Sequence, residues 1–496
     1  MPTVTVDQDP VDALNLVPLP ATVTLGTGHV HLSSATRLVA AAEVAPIAEL
    51  LAGVLRRSTG FPFQVVDAAE QAGDIVLARD AALSSLGAEG YRLEVADDRA
   101  RLSAPELAGL FYATITLRQL LPAAVEAPSV AAPETTWRLP RVTIEDAPRF
   151  SWRSLSFDVA RHFFGPEETK RLIDLAAFHK LNRLHLHLTD DQGWRLEILS
   201  RPNLTTVGGS TQVGGGTGGF YTQADYQALV QYASERFITV VPEIDVPGHT
   251  GAALSSYPEL NPNGEAPPLY TGTAVGLTSL MLGETVTSEF IDAVFAEVAQ
   301  LTPGPWLHVG GDEASNTDQA EYEAFMAEVS GVVAKYGKTL VGWCEVGTAD
   351  LGAGGIVTDW HINCDGTTQG AAQGMKVVLS PADRTYLDMK YDENTPIGGD
   401  WAGLVSVQKA YDWEPTFAGI DQAAIIGIEA ALWTETVSTR EHIDLMVFPR
   451  LCGHADLAWS NATGRGWDEY RVRLAAHGSR LDALGVGYYQ APEVDW

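Results

Sequence analysis

The sequence predicts a parallel (β/α)8 TIM barrel preceded by a smaller α/β (α+β) N-terminal domain. Eight short apolar runs recur after about residue 150, each followed by a polar loop and most then by a stretch of helical spacing. The runs are nearly continuous in apolar content, as strands buried on both faces require. The chain has 496 residues, more than the roughly 250 typical of a barrel without insertions, which leaves room for a companion.

Within residues 1–148 the companion reads as strands alternating with two helices. VHLSSATRLVA is strand material, and VAPIAELLAGVLRRSTG has helical spacing closed by Gly60. DIVLAR follows, then YRLEVADDRARLSA, a hairpin-like alternation around Asp97 and Asp98, and a second helix in LAGLFYATITLRQLLP. The stretch from Ala127 to Pro140 reads as a linker. Over 149–496 the eight runs are SLSFDVA (154–160), RLHLHLTD (183–190), ITVVPEID (238–245), PWLHVGGDE (305–313), TLVGWC (339–344), GIVTDW (355–360), KVVLSP (376–381) and IIGIEAALW (425–433). EETKRLIDLAAFHK and TQADYQALVQYASERF are intervening helices, and between Trp360 and Val377 the chain is short, with His361, Cys364 and Asp365 where a longer crossover helix would be expected.

Composition narrows the classes. Hydrophobic residues make up 46% and charged ones 19%, an ordinary globular balance. A net charge of −31 repels phosphate backbones and anionic lipid, so neither nucleic acid nor a membrane is an expected partner. Cys344, Cys364 and Cys452 form no CxxC pair, and no bridge is expected among them. The opening MPTVTVDQDP has neither the basic nor the apolar stretch of a secretion signal. A secreted protein shorn of its leader and a cytoplasmic one both fit.

In a barrel of this kind the site gathers at the C-terminal strand ends. There the sequence places Arg161 after run one, Asp190, Asp191 and Trp194 after run two, and Glu243, Asp245 and His249 after run three. Asp312 and Glu313 end run four, Trp343 run five and Trp360 run six. Asp383, Tyr386 and Asp388 follow run seven, and Trp433 and Glu435 run eight. Indole faces stack on the C–H faces of a pyranose while carboxylates accept from its hydroxyls, so this convergence suits a sugar. Singly, each Trp reads as core and each acid as a solvated charge or helix cap. The coincidence at so many strand ends overturns that.

HVGGDE (308–313) is the sharpest segment. Its two glycines free both acids from strict alternation and allow close backbone approach; the plainer reading is a helix N-terminus supplied with negative charge. Neighbouring acids seldom straddle a glycosidic bond as an acid and a nucleophile about 5–5.5 Å apart must. One is then the acid, and the other does something besides attack. His185 and His187 in HLHL point the same way from one strand, a spacing that ligates metals in some hydrolases, but no full ligand set accompanies them apart from His249.

DVARHFF (158–164), LHLHLTDDQGWRLEI (184–198), VVPEIDVPGHT (240–250), HVGGDEAS (308–315), LSPADRTYLDMKY (379–391) and ALWTET (431–436) together resemble glycoside hydrolase family 20, the β-hexosaminidases, along essentially the whole chain. The resemblance implies exo-acting hydrolysis of terminal, non-reducing β-linked N-acetylglucosamine or N-acetylgalactosamine, on substrates such as chito-oligosaccharides, without metal or organic cofactor. It implies a retaining mechanism in which the substrate's acetamido group is the nucleophile, the exception to the two-carboxylate rule. It implies Glu313 as general acid and base, Asp312 orienting the acetamido N–H, Tyr386 holding the acetamide oxygen, and Asp190 with His249 positioning the acid. Arg161, Asp388 and Glu435 would hold sugar hydroxyls, and Trp343, Trp360 and Trp433 would wall the pocket. A lacto-N-biosidase-like enzyme releasing a disaccharide and a catalytically silent amino-sugar-binding protein are the alternatives.

Overall fold

A computed structural model describes residues 14–96, 98–132, 134–361 and 364–496. The N-terminal decapeptide and Asp97, on which the leader and the hairpin tip were judged, lie outside the described residues. Contacts divide the chain into two units. One comprises the chain up to Arg149 with 178–180 and 455–496, the other 150–177 with 181–454.

The first unit is built on a seven-stranded mixed sheet, in the order Thr22–His31, Arg138–Asp146, Tyr91–Ala96, Arg99–Ala104, Ile75–Arg79, Leu38–Ala40, Val65–Val66. Tyr91–Ala96 and Arg99–Ala104 pair as an antiparallel hairpin. The helices Ala45–Thr59 and Leu107–Leu120 stand where their spacing placed them, and the first ends at Gly60 in the left-handed conformation that glycine adopts without penalty. The Ala127–Pro140 stretch is no linker. Its end belongs to the strand Arg138–Asp146, which pairs with both Thr22–His31 and Tyr91–Ala96. Pro140 sits opposite His29, where the register with Thr22–His31 shifts, and before the stretch of this strand that pairs with Tyr91–Ala96, a place where proline's missing N–H is tolerated.

The second unit is a closed barrel of eight parallel strands in sequential order. They are Trp152–Asp158, Arg183–His187, Thr239–Glu243, Trp306–His308, Thr339–Trp343, Ile356–Asp359, Lys376–Leu379 and Ile425–Leu432, one within or overlapping each predicted run. Pro166–Phe178 and Gln223–Ser234 are the first two crossover helices, the second opened by a capping box between Thr222 and Asp225. Alternation sorts the interior into layers. Trp152, Val241, Val341, Ile356 and Val378 form a dry cluster, and one pleat further along come Ser154, His185, Glu243, His308, Trp343 and Glu429, all buried.

Around strands five and six the segment is short as read, and one expectation fails. Strand five is followed by a tight turn of 3₁₀ type, Cys344–Thr348, and the helix between Trp360 and Val377 is only Asp365–Ala372. Cys344 and Cys364 form a disulfide, contrary to the expectation of none. Low cysteine content gave no hint, because the pairing depends on two strand-end turns meeting in space. Among the described residues no helix is long and apolar enough to cross a membrane.

Candidate active site

Strand four ends at His308, earlier than the HVGGDE run suggests, because the next residues leave the strand region of backbone space. Gly310, Gly311 and Glu313 have φ of 66°, 98° and 48°. A Cβ on Gly310 would lie 1.7 Å from Asp245 Oδ1, and one on Gly311 would lie 2.5 Å from Val346. The glycines thus let the turn press against the barrel wall, and Gly311 N–H donates to Asp245 Oδ1 at 3.1 Å. Glu313 holds a left-handed conformation without being glycine, the kind of strain that collects at functional sites. Its side chain is 31% exposed at the barrel mouth.

His249, also left-handed at φ 54°, serves both acids. Its Nε2 lies 3.4 Å from Asp312 Oδ2 and 3.4 Å from Glu313 Oε2, while Nδ1 lies 3.3 Å from Asp190 Oδ1. Burial works against charge on this imidazole, but Asp190 and Asp312 overcome it and hold its proton affinity well above the ordinary value. Asp190 is gripped in turn by Arg161 Nη2 at 2.7 Å and His187 Nε2 at 3.0 Å. Burial favours its neutral form, yet Arg161 and His249 keep its carboxyl well below the usual range.

Beneath lies Glu243, which the sequence reading did not assign. Its carboxylate accepts from His185 Nε2 at 3.0 Å, from His187 Nδ1 and from Trp343 Nε1 at 2.8 Å, with His308 Nδ1 2.9 Å away. His185 also meets Glu429 at 3.0 Å. The two histidines of HLHL do point the same way, and what they meet is a carboxylate. Carboxylates and imidazoles therefore alternate from Glu429 through His185, Glu243, His187 and Asp190 to His249.

The walls are aromatic. Trp360 stacks on Tyr386 with centroids 6.4 Å apart and an interplanar angle of 12°. Trp433 lies 5.6 Å from Trp343 and 5.9 Å from Tyr386, with the Arg161 guanidinium 5.0 Å over it. Trp401, also unassigned from sequence, is 59% exposed and stands edge-on to Trp360 and Tyr386. Only a long loop after strand seven carries it here, so no strand-end signal marked it. Burial, then Glu435, raises the proton affinity of Asp388 well above the usual range, and burial also raises that of Glu435. Buried polar atoms without a protein partner surround this space: Arg161 Nε, Asp312 Oδ1 and Asp388 Oδ1. Such atoms are costly unless a ligand engages them.

Not every strand-end residue joins. Asp191 Oδ1 accepts from Gly251 N–H at 2.8 Å and from the Thr278 hydroxyl, which makes it a loop anchor. Trp194 is core, its Nε1 donating to Leu196 O. Asp383 pairs with its neighbour Arg384 at 3.5 Å.

A parallel barrel whose mouth carries paired acids, an arginine and a set of indoles is that of a glycoside hydrolase. The description Glycosyl hydrolase family 20, catalytic domain, matches residues 150–462, and domain 2 of the same family matches 13–147. A β-N-acetylhexosaminidase of Cellulomonas fimi is 41% identical over 94% of this chain and 93% of its own length. A β-hexosaminidase of Porphyromonas gingivalis is 35% identical over 96% of this chain, which spans 64% of that relative. The solved structure of the Streptomyces coelicolor β-N-acetylhexosaminidase superposes with a TM-score of 0.94 at 47% identity, covering 98% of this chain and 100% of its own. A mutant Streptomyces plicatus β-hexosaminidase in complex with the product GlcNAc gives 0.94 at 47%, covering 97% and 98%. The chain belongs to glycosyl hydrolase family 20.

Proposed function

We propose that Glu313 is the general acid and base of an exo-acting hydrolase that removes terminal, non-reducing β-linked N-acetylglucosamine or N-acetylgalactosamine, chito-oligosaccharides among its substrates. Glu313 gives its proton to the glycosidic oxygen as the bond from that oxygen to the anomeric carbon breaks. The substrate's 2-acetamido oxygen closes on the anomeric carbon, forming an oxazolinium. Water, losing a proton to the Glu313 carboxylate, then attacks the same carbon from the face the aglycone left, and configuration is retained. Asp312 accepts from the acetamido N–H and stabilises the charge that grows there, while Tyr386 steadies the acetamide oxygen. Asp190 and His249 position Glu313. Arg161, Asp388 and Glu435 take sugar hydroxyls, between walls of Trp343, Trp360 and Trp433. Residues 149–496 are read as the catalytic domain and 1–148 as accessory.

The observation that carries this is the shared reach of His249 Nε2 to Asp312 and Glu313. Two acids that share one nitrogen face the same point of the mouth, which suits Glu313 as the acid with Asp312 beside the acetamido group, the group that supplies the nucleophile. The test pairs aryl β-N-acetylglucosaminide with aryl β-glucoside and adds a thiazoline analogue of N-acetylglucosamine. Cleavage of the N-acetyl sugar alone with tight thiazoline inhibition supports the reading; rapid glucoside hydrolysis removes acetamido participation. Binding without cleavage turns it towards an amino-sugar-binding protein, and release of disaccharides towards a lacto-N-biosidase-like enzyme. Activity that survives extensive chelation separates it from a metal-dependent hydrolase working through His185 and His187.

A further inference from the structure

Strand five ends at Trp343, and the chain turns at once through Cys344–Thr348. That turn is clamped. Cys344 is bonded to Cys364, just before the helix Asp365–Ala372. The two backbones also touch: a Cβ on Gly366 would meet Cys344 O at 2.0 Å, and one on Gly347 would meet Gly366 O at 2.0 Å. Only glycine permits such an approach. Glu345 rides on this turn, and none of the steps above uses it.

Its carboxyl looks into the site. Oε2 accepts from Trp360 Nε1 at 3.1 Å, and the backbone N–H of Glu313 lies near enough to work towards the charged form of the same carboxyl. Asp312 faces it from the turn after strand four, Tyr322 from the helix Gln319–Lys335 and Tyr386 from the loop after strand seven.

We propose that Glu345 is a positioning residue for the reaction, its carboxyl tying the backbone of Glu313 to the indole of Trp360. The proposal rests on Glu313 being the acid. Glu313 keeps its left-handed conformation only while its surroundings hold it there, and its N–H needs an acceptor. The Glu345 carboxyl is the group we assign to it. The same carboxyl sets the tilt of the Trp360 wall, so the proton donor and the surface against which a sugar packs share one anchor. The disulfide and the glycine contacts fix the anchor itself. Burial, then Asp312, pushes the Glu345 carboxyl up to about 7. As pH rises through neutrality a negative charge therefore develops on Glu345, beside Asp312.

The experiment uses the full chain with Glu345→Ala, Glu345→Gln and Glu313→Gln, recording Tm, kcat, KM and the pH profile of kcat/KM on an aryl β-N-acetylglucosaminide. Glu345→Ala is expected to lose roughly 10- to 100-fold in kcat/KM, with KM raised and kcat lowered, the size expected when reacting groups are misplaced. Glu345→Gln still accepts from the indole, so its KM returns to within about twofold of wild type while its pH profile near pH 7 changes. A residue that merely held the turn would lower Tm in both variants and leave the pH profile unmoved, which would overturn the proposal. So would a folded Glu345→Ala with kcat/KM within about twofold of wild type. If Glu345→Ala does not fold, the pH profile of Glu345→Gln decides. Turnover retained in Glu313→Gln brings down the acid assignment itself; Glu313→Gln inactive beside a normal Glu345→Ala brings down only the role of Glu345.

Discussion

His249 and Asp190 form a buried pair, Nδ1 to Oδ1 at 3.3 Å, that leaves the other imidazole nitrogen facing Asp312 and Glu313. Each partner holds the other in its charged form. Replacing the carboxylate removes that hold, so Asp190→Asn should lower the proton affinity of His249. The pH profile of kcat/KM should then fall at a lower pH than in wild type, with kcat reduced on the order of 10- to 100-fold. An unmoved profile would mean that His249 acts without its charge.

Arg161 is held as firmly as anything it could hold. Its guanidinium reaches Asp190 at 2.7 Å and Asp158 at 3.3 Å, and all three groups are buried. Arg161→Ala should raise KM strongly, because a hydroxyl donor is lost. It should also destabilise the fold by about 3–5 kcal/mol, since two buried carboxylates lose their cation. Steady-state kinetics and urea unfolding check the two parts separately. An unchanged KM would place Arg161 outside the sugar site.

Glu243 sets a pH limit on stability. Burial disfavours charge on His185 and His187, but Glu429 and Glu243 raise the first to about 10, and Glu243 and Asp190 raise the second to about 9. Both lie above the ordinary 6.5. Their contribution is therefore fully present below about pH 6.5 and is lost as pH rises through 9 and 10. The Tm of wild type should fall across that range, and Glu243→Gln should flatten the fall. A Tm that is level from pH 7 to 10 in wild type would contradict it.

The Cys344–Cys364 bridge closes a loop of sequence separation 20. Loop-closure entropy for that length is about 3 kcal/mol. Replacing both cysteines with serine should cost about that much in denaturant unfolding, and a loss below about 1 kcal/mol would show that the glycine contacts alone hold the turn.

Much of this architecture is legible from residue order. Near-continuous apolar runs separated by helical spacing require covered parallel strands, and each of the eight barrel strands falls within or overlaps its predicted run. Strand ends also name the chemistry. Arg161, Asp190, His249, Asp312, Glu313, Trp343, Trp360, Tyr386, Asp388, Trp433 and Glu435 each stand at or after a strand end, and barrel geometry points such positions to one mouth. What residue order does not contain is which partner each side chain meets. Glu243 looks like one more strand residue until three imidazoles and an indole close around it. Glu345 looks like a solvated acid beside a cysteine, until the turn after strand five folds against the helix after strand six. His185 and His187 share a face by periodicity alone, yet only the third strand beside them makes that face a carboxylate. Periodicity and covalent order are local, so sequence determines the strands, their sequential order and the residue types at the mouth. Proton affinities, the disulfide and the anchoring of Glu313 arise from contacts between segments far apart in the chain, and those the tertiary structure alone decided.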